Sequence, residues 1–172
     1  MSWVGDHIGQ ILSLAGQHAY LAGVPLLLGL GLALPLGWLA RRYPRFYAPL
    51  ILGTGLLYTI PSLALFILMP LIIGTRILDP FNVVVAMTIY TVALLVRTVA
   101  DGLGSVPDDV NQSATAMGYK RVRRFTSVEL PLAVPVISAG LRVAAVSNVS
   151  IVSVAAPIGV PQLGSLFTAG FA

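Results

Sequence analysis

The sequence predicts an all-α protein, a bundle of helices that crosses a membrane several times. Charged side chains make up 9% of the 172 residues and hydrophobic ones 57%. Soluble globular domains carry about 25% charged residues, so this chain has too few ions to wet a soluble surface. The charges are also bunched, and the charge-free runs between them can cross ~30 Å of hydrocarbon at 1.5 Å per residue. This composition excludes a disordered chain and a soluble enzyme, and the absence of Cys excludes a disulfide-stapled secreted domain. The net charge of +4 reads as membrane topology, with the bilayer as partner and no nucleic acid.

The elements follow in order from the charge-free runs. Residues 19–40 hold no ionisable group and form the first span; no Lys or Arg precedes them, so the start lacks the basic region of a cleavable signal peptide. The run 46–73 is longer than one crossing requires and must tilt, kink or end in an interfacial turn, with Pro61 favouring a kink. Residues 81–100 form the third span, with Arg97 able to reach headgroups from its end. The fourth span occupies 131–156 and contains Arg142, which is placed near the basic interface because arginine at the centre of a lipid-facing helix costs roughly 2.5–3.5 kcal/mol. Gly29 with Ala33, and Gly53 with its small neighbours, fit close helix packing.

Orientation follows from where Lys and Arg fall, because basic connections stay cytoplasmic. Arg41, Arg42 and Arg45 lie in the first connection, and Arg97, Lys120, Arg121, Arg123 and Arg124 flank or occupy the third. The second holds only Arg76, beside Asp79. The N-terminus is therefore expected outside and residues 101–130 in the cytoplasm.

A connection of that length is either functional or disordered, and this one carries helix signals. Ser105 with Asp108 fits a capping box, Pro107 suits a first turn, and Asp108 and Asp109 complement the helix dipole. A helix is expected to start near Val106, to present Val110, Ala114 and Met117 as a modest apolar stripe, and to stop at Gly118 in a left-handed cap. A second short helix should follow the basic cluster and run into Glu129, Leu130 and Pro131. On physical grounds alone the first helix fits either a partner's groove or an anionic membrane surface.

Gln112-Ser113-Ala114, three residues, Gly118, nine residues and Val128-Glu129-Leu130-Pro131 resemble the EAA loop of ATP-binding-cassette importer permeases. That pattern is Glu-Ala-Ala, three residues, Gly, nine residues, Ile-x-Leu-Pro; here Gln112 replaces the acid, Ser113 the first Ala and Val128 the Ile. The resemblance implies a type I importer permease fold with a cytoplasmic coupling helix between the third and fourth spans. It assigns ATPase coupling to Gln112, Ser113, Ala114, Met117, Gly118, Leu130 and Pro131. It also implies a cytoplasmic ATPase dimer that binds the ATP and Mg, a second permease subunit that is a copy or a paralogue, an extracytoplasmic solute-binding protein, and a bacterial inner membrane location. Thr59-Ile60-Pro61-Ser62-Leu63-Ala64-Leu65 further resembles osmoprotectant permeases, which serve glycine betaine, choline and carnitine. Segments 86–102 and 130–142 are similar to the same group. Members usually continue past a segment like Ile158–Gly164 into a further span, which this sequence is expected to lack. A permease for another small solute and a truncated, non-transporting membrane protein are the rival readings.

Thr59, Pro61 and Ser62 fit either a hydroxyl-lined part of the pathway or a packing kink. Asn148, with Ser147 and Ser150, carries the same two readings on the fourth span. Tyr58, Tyr90 and Trp38 could meet a quaternary ammonium by cation–π attraction or anchor at the interface. His7 and His18 have no clustered ligands and read as solvent or interface residues rather than a metal site. Lys120 lies outside any phosphate-binding loop motif, and no nucleophile, base and orienting group come together, so ATP hydrolysis is expected in another polypeptide.

Overall fold

The computed structural model describes residues 2–76 and 79–170, and helices fill almost all of them. The order is α1 (Ser2–Asp6), α2 (Ile8–Arg42), α3 (Pro44–Thr59), α4 (Ser62–Ile73), α5 (Pro80–Gly104), α6 (Asp108–Ala116), α7 (Arg121–Arg124), a π turn (Phe125–Glu129), α8 (Leu130–Val152), a 3-10 turn (Ser153–Ile158) and α9 (Ser165–Gly170). Three helical stretches are long and apolar enough to cross a membrane, or four if the bent pair α3 and α4 counts as one span.

α5 is the hub. Pro80 opens it, and the Asp79 carboxylate accepts the Phe81 N–H at 2.9 Å, a cap that satisfies one of the helix's unpaired first donors. Asp79 thus caps a helix, although the sequence sets it beside Arg76. The most extensive packing in the fold joins α5 to α2. α2 turns a single stripe toward it: His18, Ala22, Pro25, Gly29, Ala33, Gly37 and Ala40 are all buried, at spacings of three and four that share one face. Gly29 opposes Thr91, and Gly37 opposes Val99 and Ala100, so α2 and α5 run parallel in constant register. A Cβ on Gly37 would lie 2.6 Å from Val99 Cγ1. The sequence identifies only the Gly29 and Ala33 part of this seam. At Gly53, also expected to pack, an added Cβ would meet nothing within 4 Å.

α8 lies antiparallel to α5, since Gly102 faces Val136 and Ile137 while Gly140 faces Thr98. That register sets Arg142 level with the turn carrying Arg97. Both arginines are exposed, roughly 10 Å from the Gly104 end at 1.5 Å per residue. The depth is short enough for both to reach a basic interface.

Two polar knots tie these helices together. Asn148 donates to Ala22 O at 3.2 Å and to Thr91 Oγ1 at 2.9 Å, and Thr91 Oγ1 donates in turn to Met87 O. His18 differs from its expected solvent or interface place: it is 6% exposed, with Nδ1 3.1 Å from Gln162 Oε1 and Nε2 3.0 Å from Val149 O. The reason is local. Where α8 tightens into the 3-10 turn, the Ser153 N–H turns toward Ser150 O and leaves the Val149 carbonyl open to the imidazole. Gln162 Nε2 donates to Ser153 O at 3.2 Å, which holds the following segment against the same turn. Asn148→Leu should lower the thermal midpoint of the purified protein, because it leaves the Ala22 carbonyl and Thr91 hydroxyl short of partners at a cost of about 1–3 kcal/mol. An unchanged midpoint would show that the knot adds nothing.

Pro61 produces a full break instead of a kink. α3 and α4 meet at 103°, with Ile60 and Pro61 both extended at ψ 130° and 129°. Proline has no N–H to continue the helix and bars the α conformation from the residue before it. The Ile60 carbonyl released there accepts the Tyr90 hydroxyl.

Candidate functional site

The third connection folds into a compact device at the basic end of the bundle. α6 starts at Asp108, later than the expected Val106, because Val106 is buried and Ser105 turns its hydroxyl back to Gly102 O at 2.7 Å. The capping box therefore does not form. Asp108 and Asp109 remain in the first turn, where carboxylates favour the positive end of the helix dipole. At the other end Gly118 adopts φ +84°, its N–H bonds Thr115 O at 3.0 Å and the Tyr119 N–H bonds Ala114 O at 3.1 Å. This is a complete Schellman cap, which places its glycine in the left-handed region.

The faces of α6 differ from the expected stripe. Ala114 is 1% exposed and turned into the chain's own packing, Val110 is half-buried, and Met117 is 70% exposed. Gln112, Ser113 and Ala116 are exposed as well, and with Asp109 and Met117 they recur at helical spacing on the outward side. Ala114 thus faces the chain's own packing, while Gln112, Ser113 and Met117 are open on the opposite side.

One residue joins this helix to the span behind it. Arg124 donates through Nη1 to Thr115 Oγ1 on α6 at 2.8 Å, and its Nε is 2.7 Å from Glu129 Oε1. Glu129 immediately precedes α8. Residues five apart lie on different sides of an α-helix, but the wider π turn at Phe125–Glu129, where the Leu130 N–H reaches Phe125 O, brings them onto one side. Arg124 and Glu129 are half-buried, with side chains 27% and 14% exposed, so the pair is better shielded than an open surface bridge. Sequence reasoning missed this clamp because a spacing of five carries no helical signal. Trp38 on α2 meets Phe125 edge to face at 6.1 Å, which braces the same turn against the bundle. Leu130 is half-buried in the adjoining core, and Pro131 is exposed.

Thr59, Pro61 and Ser62 stay together at the α3 and α4 break. Thr59 and Pro61 are exposed, Ser62 is half-buried, and Thr59 turns its hydroxyl to Leu56 O at 2.7 Å. Asn148 does not join them, since it is 2% exposed inside the seam of α2, α5 and α8. Tyr58 and Tyr90 meet edge to face at 5.7 Å. Ser147 is half-buried, and Ser150 is exposed and bonded to Val146 O. Among the described residues no group of His, Asp and Glu is placed to hold a metal ion.

The chain is thus a bundle of apolar helices with one short polar helix clamped at its basic end. The fold is that of type I ABC importer permeases: a chain of the MetNI methionine ABC transporter superposes with a TM-score of 0.83 at 18% identity, over 94% of this chain and 80% of that one. Residues 27–171 match the family described as binding-protein-dependent transport system inner membrane component, and the chain belongs to that family. It is 36% identical to the osmoprotectant import permease protein OsmW of Salmonella typhimurium, over 96% of this chain and 78% of the relative. It is 30% identical to the glycine betaine/carnitine/choline transport system permease protein OpuCD of Bacillus subtilis, over 94% and 69%. The choline transport system permease protein OpuBD of the same organism is 27% identical over 99% and 74%.

Proposed function

We propose that this chain is the translocation subunit of an ATP-driven importer for quaternary-amine osmoprotectants of the glycine betaine, choline and carnitine type. The similarity to osmoprotectant permeases over almost the whole chain carries this reading. ATP and Mg belong to a cytoplasmic ATPase dimer, a second permease subunit completes the pathway, and an external binding protein delivers the solute. The basic connections set α6 in the cytoplasm and the N-terminus outside.

In this account the ATPase grips α6 on its outward side through Gln112, Ser113 and Met117. Ala114 and Gly118 shape the helix, Arg124 passes its displacement through Glu129 into α8, and Leu130 and Pro131 start the driven span. The break at Thr59, Pro61 and Ser62 lines part of the pathway, where a second permease copy would cover the exposed apolar sides of α3 and α4. Differential binding of the ATPase to two positions of α6 is the physical requirement, since a partner shifts an equilibrium only by its difference in affinity.

Cysteines placed singly at Ser113, Met117 and Ala114 test the docking side. Oxidative cross-linking to a cysteine-bearing ATPase is expected from positions 113 and 117 and not from buried position 114. Capture from 114 alone, or labelling of 113 only from outside the cell, would remove the coupling assignment.

A further inference from the structure

Between the end of α2 and the α6 and α7 segment lies a pocket of about 270 Å³ that the coupling scheme does not use. Its walls join parts of the chain that are far apart in sequence: Arg41 and Arg42 close α2, while Arg121 and Arg124 come from α7. Asp108 and Glu129 are the carboxylates on the same walls. Glu129 is already engaged by Arg124 at 2.7 Å. Among the described residues Arg41, Arg42 and Arg121 form no ion pair, and Arg42 also reaches over the Tyr43 ring at 5.6 Å, so four arginines share these walls with only two carboxylates.

That arrangement resists closure of the pocket. Like charges lining one cavity of this size sit within the ~8 Å screening length of physiological salt, so they push α7 away from the end of α2. Arginine forks match tetrahedral oxyanions in a bidentate manner and are weakly hydrated, which makes a phosphate group their natural counter-ion. The volume accommodates such a group with a few waters, at about 30 Å³ of liquid volume per water.

A second observation comes from the same wall. The side-chain Oδ1 of Asn111 is buried and has no hydrogen-bond partner. The two ends of a carboxamide are assigned from their surroundings, and turning this one over presents its NH2 as a donor. An anion in the pocket supplies the acceptor once the Asn111 side chain turns toward it, since the atom is closed off where it now lies.

We propose that this pocket binds a phosphate-class anion, either the headgroup of an inner-leaflet phospholipid or free phosphate, and that the bound anion pins α6 and α7 to the end of α2. The site is independent of which solute is carried. It concerns how firmly the handle is attached to the bundle, and it can fail while the transport reading stands.

The test uses the full-length chain, purified and placed in nanodiscs of phosphatidylcholine or of phosphatidylglycerol. Inorganic phosphate is titrated against chloride at equal ionic strength, with thermal unfolding and phosphorus NMR line width as readouts. Wild type is compared with Arg42→Gln, Arg121→Gln and, as a charge control outside the pocket, Arg45→Gln, whose guanidinium lies over the Tyr43 and Phe46 rings. Phosphate is expected to stabilise the wild type and Arg45→Gln in phosphatidylcholine, with affinity about tenfold weaker in the two pocket variants. Stabilisation by phosphatidylglycerol but not by phosphate, lost in the same two variants, assigns the site to a headgroup. A wild-type response no greater to phosphate or phosphatidylglycerol than to chloride or phosphatidylcholine overturns the proposal without any variant. An equal loss in Arg45→Gln reduces the effect to net charge and overturns it as well.

Discussion

Replacing Gly37 with leucine is expected to unseat α2 from α5 and deprive the membrane of folded protein. At this point the two helices touch through backbone and branched side chain: a Cβ on Gly37 would lie 2.6 Å from Val99 Cγ1, 2.7 Å from Val99 Cβ and 3.0 Å from the Ala100 nitrogen. The nitrogen belongs to the hub helix and cannot move aside as the tip of a long side chain would. Overpacking a tight core commonly costs about 1–3 kcal/mol, and a helix seam in lipid depends on this close approach because no hydrophobic effect draws helices together there. Gly31 is the matched control, exposed on the same helix with nothing within 4 Å of an added Cβ. Gly37→Leu should lose most of its monodisperse yield on size exclusion, while Gly31→Leu keeps it. Equal yields would mean that the α2 and α5 register described above is wrong.

The second large effect concerns function. Arg124→Ala should leave the chain inserted and the ATPase attached, yet cut ATP-driven uptake by about tenfold or more. The substitution removes the only described side chain that bonds to both α6 and the residue preceding α8, through Thr115 Oγ1 and Glu129 Oε1. It also leaves a largely buried carboxylate without its partner, a change worth about 2 kcal/mol or more when shielded from water. Arg124→Lys should be intermediate, because one ammonium cannot span two acceptors as a planar guanidinium fork does. The informative readout is the ratio of solute moved to ATP hydrolysed. A falling ratio at a steady hydrolysis rate marks lost transmission, whereas a parallel fall in both would mark a merely damaged protein.

Much of the architecture is legible in the sequence because lipid imposes a simple rule: apolar runs between clustered charges must be helices, since no water is present to satisfy open backbone groups. The cap at Gly118 is legible for a similar reason, as few other residues fit the left-handed turn it occupies. What stays hidden depends on partners that linear spacing does not reveal. Pro61 announces a disturbance, but whether a proline kinks or breaks a helix depends on what satisfies the released carbonyl, and Tyr90, far along the chain, does so here. His18 reads as a solvent or interface residue until the 3-10 turn after α8 offers it an open carbonyl. Ala114 falls on the apolar stripe of a helical wheel with Met117, yet α6 turns Ala114 into the chain's own packing and leaves Met117 exposed. The Arg124 and Glu129 clamp depends on a π turn, and hydrophobic period alone does not predict one.

The central claim is that ATP hydrolysis reaches the solute pathway through α6 of this chain. Its most direct measurement is accumulation of radiolabelled glycine betaine in proteoliposomes holding the chain with its ATPase and binding protein, before and after a cross-linker fixes a cysteine at position 113 to the ATPase. The account predicts ATP-dependent accumulation that stops on cross-linking and returns when the link is reduced. Accumulation that continues unchanged with the link in place and the ATPase turning over would contradict it.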